Sequence, residues 1–138
     1  MPFYLSCNSL SLAADENPMH FSELRVWRRS HQLFLDLLGD LADLPYSRVG
    51  KILRDQIVRS CASISANIAE GFNRSKRKYL SSLDIAVGEA AETENWLYKL
   101  RDTGMVTKET ATVRVRECIE IQRMLHGLRK SIKKRDDR

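Results

Sequence analysis

From Phe21 onward, apolar residues recur at steps of three and four, the spacing that stacks side chains on one face of an α-helix. The first such segment is predicted over Glu23 to Leu44, with Ser22 as N-cap and Pro45 beyond its end. Its stripe is Leu24, Trp27, His31, Phe34, Leu38 and Leu41. A second runs from Arg48 to Glu70 behind the cap Ser47, with Val49, Leu53, Ile57, Cys61, Ile64 and Ile68 on one side. Gly71 is expected to end it in the left-handed C′ conformation. A third starts at Lys76 after Ser75 and stops before Gly104, with the stripe Tyr79, Leu83, Ala86, Ala90, Thr93, Leu97 and Leu100. A fourth runs from Lys108 to Lys134 behind Thr107. Its seam is Val115, Cys118, Gln122, Leu125 and Ile132, with Ile119, Ile121 and Leu128 beside it.

Four long amphipathic segments joined by loops of about two to five residues predict an all-α, antiparallel up-down-up-down four-helix bundle. The bundle domain is assigned to residues 21–135 and a flexible N-terminal extension to residues 1–20. No repeat, strand pattern or domain linker is visible. With 138 residues, 43% hydrophobic and 30% charged, the chain suits one compact domain and not a disordered one. Three prolines and six glycines argue against collagen-like, linker-type or turn-dense all-β sequence.

The cysteines Cys7, Cys61 and Cys118 form no CxxC pair and cannot all pair within the chain, which points to a reducing, cytoplasmic setting. Cys61 and Cys118 fall on apolar helical positions and read as small core hydrophobes. No apolar run approaches the ~18 residues of a membrane span. The first 18 residues hold no Lys or Arg, and Ser and Asn break their short apolar stretch, which argues against a secretory signal.

Catalytic chemistry is sparse. His20, His31 and His126 are far apart, and none follows a glutamate by three positions, so the Glu-x-x-His pairs of di-iron bundles are absent. There is no HExxH, Walker glycine loop, GxGxxG or GxSxG. His31, on the first apolar stripe, reads as a hydrogen-bonded core histidine. No catalytic residue, metal site or cofactor is assigned, and a non-enzyme is expected.

The second segment carries a polar stripe beside its apolar one: Gln56, Arg59, Ser60, Ser63, Asn67 and Glu70. Polar groups bordering a core need partners, because an unpaired buried charge is costly. Folding the second and third helices about residue 73 brings Arg59 level with Glu89, with Glu92 one turn away. Two uses follow for these residues: an ion-pair and hydrogen-bond network that sets helix register or joins subunits, or a ligand or nucleic-acid site. A further face on the third helix, Ile85, Glu89, Glu92 and Trp96, would leave Trp96 partly wet in a lone bundle. Ile85 and Trp96 are therefore assigned to an oligomer interface.

The run Gln56-Ile57-Val58-Arg59-Ser60-Cys61-Ala62-Ser63-Ile64-Ser65-Ala66-Asn67-Ile68-Ala69-Glu70-Gly71, followed by Arg74, resembles the signature of the four-helix-bundle proteins first noticed in intervening sequences of bacterial 23S ribosomal RNA genes. Phe21-x-x-Leu24-x-x-Trp27, Ile85-Ala86-x-Gly88 with Glu92, and Met124-Leu125 resemble other parts of that family, and the likeness covers about residues 21–132. The resemblance implies a four-helix protomer, commonly a homopentameric barrel, without known enzymatic activity. A related branch comprises the accessory variability proteins of diversity-generating retroelements, basic pentamers that bind nucleic acid and a reverse transcriptase. The chain departs from the family pattern at Ser60, Ser65 and Glu89, where alanine, proline and a small residue are usual.

The net charge of +5, from 23 Lys+Arg and 18 Asp+Glu, is too small to name a partner. The predicted topology gives it a place. The start of helix one (Arg25, Arg28, Arg29), the two–three turn (Arg74, Lys76, Arg77, Lys78) and the end of helix four (Arg129, Lys130, Lys133, Lys134, Arg135) share one pole. Twelve of the 23 basic residues thus gather there, offset mainly by Glu23, Glu70, Asp136 and Asp137, while Asp36, Asp40 and Asp43 make the other pole more acidic. Four positive charges crowd residues 74–78, beside a helix N-terminus that disfavours them. Such clustering suits phosphate binding through counterion release, and cyclic assembly would multiply it. Aromatic residues near this pole are few (Phe21, Phe72, Tyr79), so contact is expected mostly with backbone phosphate. The expected function is that of a nucleic-acid-binding oligomeric bundle, of RNA or DNA, serving as accessory to a reverse transcriptase. The alternative is a protein-interaction scaffold whose basic pole docks an acidic protein.

Overall fold

The computed structural model describes residues 17–135. A 3-10 turn over Phe21–Glu23 precedes four helices: α1 (Arg25–Asp40), α2 (Arg48–Gly71), α3 (Lys76–Asp102) and α4 (Lys108–Lys134). There is no strand among the described residues. Helix α3 packs against α2 and α4, and α1 packs against the same two, closing a four-helix bundle. Most of the expected N-terminal extension, together with Cys7, Asp136 and Asp137, lies outside the described residues.

Three of the four helix starts follow the sequence because the cap chemistry is local. Ser47, Thr107 and Ser75 accept from the backbone N–H groups of Gly50, Thr110 and Lys78, filling donors that a helix start leaves unpaired. The first helix differs. His20, not Ser22, accepts a backbone N–H at the 3-10 turn, and Glu23 reaches back to close a capping box, so α1 starts two residues late. It also ends early, at Asp40, and the 41–47 connection is longer than expected. Leu41 and Leu44 are buried from this loop, and Arg54 of α2 donates to the Leu41 carbonyl at 2.8 Å.

The ends of α2 and α3 are built differently. Gly104 takes φ +74, its N–H reaches the Arg101 carbonyl, and the Met105 N–H reaches Leu100, both at 3.0 Å, a Schellman closure of α3. Gly71, by contrast, is a helical residue, and Asn73 adopts the left-handed conformation at φ 63. The expectation for Gly71 is thereby corrected. Its need is steric, since a Cβ there would lie 2.5 Å from the Ser82 Cβ on α3.

The core holds all seven expected residues of α3, and Leu53, Ile57, Cys61, Ile64 and Ile68 of α2. Val49 is 55% exposed, whereas Gly50 of the same turn is buried against Leu44, Pro45 and Ser47. In α1 the buried line is Val26, Ser30, Leu33 and Leu37, one residue away from the expected phase. Trp27 is half-buried against the edge of the core and stacks on His31, with ring centroids 4.9 Å apart and planes 9° from parallel; His31 is exposed and not a core histidine. Ser30 tolerates burial because its hydroxyl donates to the Val26 carbonyl. In α4 the buried residues are Ala111, Cys118, Ile121, Leu125 and Ile132, while Val115 and Gln122 are half-buried and Ile119 is 42% exposed.

Candidate nucleic-acid interface

Side chains tie the helices together at several levels. Earlier positions of α2 meet later positions of α3: Gly71 at the end of α2 faces Ser82, and Ser60 midway along it bonds Thr93 through their hydroxyls at 2.9 Å. On the other side of the bundle, Arg114 of α4 grips Asp40 of α1 with two bonds of 2.6 and 3.1 Å and reaches Asp36 at 3.5 Å. Arg29 of α1 makes a similar fork onto Glu117 of α4, at 2.8 and 3.0 Å. These pairs clamp α1 to α4.

The basic pole forms where α1 begins, α2 turns into α3, and α4 ends. Residues from all three meet around one surface groove of about 950 Å³, which includes Arg25, Arg74 and Arg135 and no Asp or Glu among its described lining residues. Lys76 fastens the turn to α4 by donating to the Lys133 and Arg135 carbonyls at 3.3 and 2.9 Å. Arg77, Lys78, Lys130, Lys133 and Lys134 are exposed. Arg28 is half-buried, Arg129 lies 3.5 Å from Asp84, and Arg29 is committed to Glu117, so these three contribute less to an outward-facing cluster.

The far pole is mixed. A groove there is lined by Asp40 and Asp43 with no Lys or Arg, yet the neighbouring 41–47 loop and α2 start carry Arg48, Lys51 and Arg54. Part of the acidity expected there is also neutralised, since Asp36 and Asp40 are the partners of Arg114.

The polar stripe of α2 divides. Arg59 pairs with Glu92 at 2.6 Å and stands 4.0 Å from Glu89, so its main partner is Glu92. Glu92 also accepts from the Trp96 indole N–H at 3.3 Å. Burial pushes the Glu89 carboxyl above its ordinary range, the nearby Glu92 charge adds to this, and Arg59 opposes it. Ser63 and Asn67 instead bond carbonyls of their own helix, at Arg59 and Ser63. Among the described residues, Gln56 and Glu70 join no cross-helix bond, because Gln56 is only half-buried and Glu70 is exposed at the helix end. Ile85 is 51% exposed, and Trp96 is partly covered by the core it packs against.

Of the three departures from the family pattern, Ser60 is the buried mate of Thr93, whereas Glu89 stands 4.0 Å from Arg59 with its Oε2 buried and without a hydrogen bond. The third, Ser65, bonds back to the Ala62 carbonyl. The polar ladder of Tyr98, Glu94 and Gln122 was not foreseen. The Tyr98 hydroxyl and the Gln122 amide donate to the two Glu94 oxygens at 2.7 and 2.9 Å. Glu94 and Tyr98 at i, i+4 was its one local signal.

No described helix is long and apolar enough to cross a membrane, and no group of three His, Cys, Asp or Glu among the described residues could hold a metal. The family model of the 23S rRNA-intervening sequence proteins matches residues 22–127, and the chain belongs to that family. A solved structure from Bacteroides thetaiotaomicron, a protein of unknown function from the S23 ribosomal protein family, is similar at 30% identity with a TM-score of 0.70. That likeness covers 76% of this chain and 98% of the other. No curated protein matches the chain.

Proposed function

We propose that this protein is a non-enzymatic, nucleic-acid-binding bundle that works as a cyclic homo-oligomer. The convergence of three chain segments on one groove, with Arg25, Arg74 and Arg135 and no carboxylate among its described lining residues, and with exposed lysines on the same segments, carries the reading. Phosphates condense counterions that such a cluster releases. An antiparallel up-down-up-down course is supported by the falling α3 numbers that meet rising α2 numbers at Ser60–Thr93 and Gly71–Ser82. A pentamer comes from the family resemblance and uses the face holding Ile85, Arg59 and Trp96. The buried free thiols of Cys61 and Cys118 suit a reducing cytoplasm.

Binding measured as anisotropy of labelled RNA and DNA over a salt series tests the reading. Log affinity should fall steeply with log salt, and reversing Arg74, Arg77 and Lys78 to glutamate should weaken binding to every sequence alike. Binding indifferent to both salt and these charges sinks the proposal. Light scattering that reports a stable monomer at micromolar concentration sinks the oligomer.

The retroelement branch adds a reverse transcriptase as partner. A neighbouring reverse-transcriptase gene with template and variable repeats supports it, whereas a reading frame inside a ribosomal RNA gene supports the intervening-sequence branch. The rival scaffold reading uses the same arginines, which fork onto carboxylates as Arg29 and Arg114 do here. An acidic protein partner retained after nuclease treatment would favour it.

A further inference from the structure

The groove at the basic pole is lined in a way that phosphate neutralisation alone does not require. Beside its three arginines stand Leu24, Val26, Phe72, Met124 and Leu128, with Asn73 and Ser131 as neutral hydrogen-bonding groups. Its volume of about 950 Å³ falls within the ordinary range for small-molecule sites. A duplex presents its phosphates outward and keeps its bases stacked, so it has nothing to set against the apolar part of this mixed polar and apolar lining.

The turn between α2 and α3 contributes both an aromatic residue, Phe72, and a cation, Arg74, to the groove lining. Phe72 caps α2, its N–H on the Ile68 carbonyl at 3.2 Å, and Tyr79 of α3 meets its ring edge-on at a centroid distance of 6.1 Å. Asn73 then turns the chain through the left-handed region, and the Arg74 N–H bonds back to the Gly71 carbonyl at 3.1 Å. Phe72 and Arg74 thus enter the groove lining from one hydrogen-bonded turn, with Arg25 and Arg135 arriving from α1's start and the end of α4.

We infer, resting on the nucleic-acid reading above, that this groove seats an unpaired nucleotide of a single strand. The base packs against Phe72 and the apolar floor, and the flanking phosphates lie on Arg74, Arg25 and Arg135. To the contact expected mostly with backbone phosphate this adds one that also reads whether a base is free.

The test compares three probes of equal length with the full chain: a single strand, the same strand in a duplex, and a single strand carrying abasic sites, each in RNA and DNA form. Charge density alone favours the duplex, which carries one charge per about 1.7 Å of axis. Stacking of a free base reverses that order and should make the intact single strand bind at least about tenfold more tightly than either other probe. Phe72→Ala, with helicity checked by circular dichroism, should abolish this preference and leave the salt slope unchanged. Steep salt dependence with equal affinity for intact and abasic single strands overturns the groove assignment while leaving polyanion binding standing. Absence of salt-dependent binding to all three removes both. The abasic comparison needs no variant, so an unfolded Phe72→Ala does not blunt it.

Discussion

Gly71 of α2 and Ser82 of α3 approach so closely that a side chain on the glycine would stand 2.5 Å from the serine Cβ and 2.9 Å from its Oγ. Backbone-to-side-chain contact of this kind fixes the spacing of the two helices beside the 72–75 turn. It therefore also holds Phe72 and Arg74 in place at the groove. Gly71→Ala should destabilise the fold by ~1–3 kcal/mol, the usual cost of overpacking. Gly88→Ala, on α3 where a Cβ meets nothing within 4 Å, should stabilise by ~0.5–1 kcal/mol through helix propensity. Urea midpoints of the two variants measure both, and equal shifts would refute the steric account.

Removing Arg114 leaves Asp40, whose side chain is 16% exposed, without its two-bond partner. Hydrogen bonds to charged groups contribute ~1.5–3 kcal/mol, so Arg114→Ala should cost an amount in that range. Arg59→Ala, which breaks a pair whose arginine is 53% exposed, should cost only about 0–1 kcal/mol. Chemical denaturation should rank the two in that order.

Glu89 supplies a pH signature of defined sign. Its folded-state pKa is raised above the ordinary 4.5, so between the two values the native chain holds more protons than the unfolded one. This residue's contribution to stability therefore falls as pH rises from about 4.5 through the folded pKa, and its cost is fully present above that. Glu89→Gln should be more stable than the parent at neutral pH and should flatten this part of the profile. Denaturation midpoints that fall equally steeply in parent and variant would contradict it.

The thiols of Cys61 and Cys118 lie in the core, and burial pushes Cys61 up to about 12 and Cys118 higher still. In a Cys7→Ser background, a thiol reagent should label neither residue in native conditions and both in denaturant. Stability should also decline above pH ~8.5, where unfolded thiols ionise and native ones do not. Rapid native labelling would show that the core opens locally around them.

The caps Ser47, Ser75 and Thr107 and the span of α4 were legible in the sequence, because a cap depends only on residues within one turn of it. The α3 stripe was equally legible: α3 is packed by both α2 and α4, so every apolar or small position on that line is covered. Placement of the start of α1, the 72–75 turn and the end of α4 at one pole also followed from topology, and a single groove joins them.

Three features needed the folded chain. Periodicity gives the same steps of three and four for two lines one residue apart on α1, and packing against α2 and α4 selected Val26, Ser30, Leu33 and Leu37 over Trp27 and His31. The guanidinium of Arg29, read as part of the basic pole, found Glu117 in α4, a partner 88 residues distant that no local pattern could identify. Gly71 looked like a helix terminator and is a point of close helix approach. Sequence by itself determined the existence of the four helices and three of their caps, since these follow from neighbours along the chain. Tertiary structure decided the phase of α1, which charges are already paired, and the groove that gathers apolar residues among the arginines, since these depend on atoms that meet only when the helices pack.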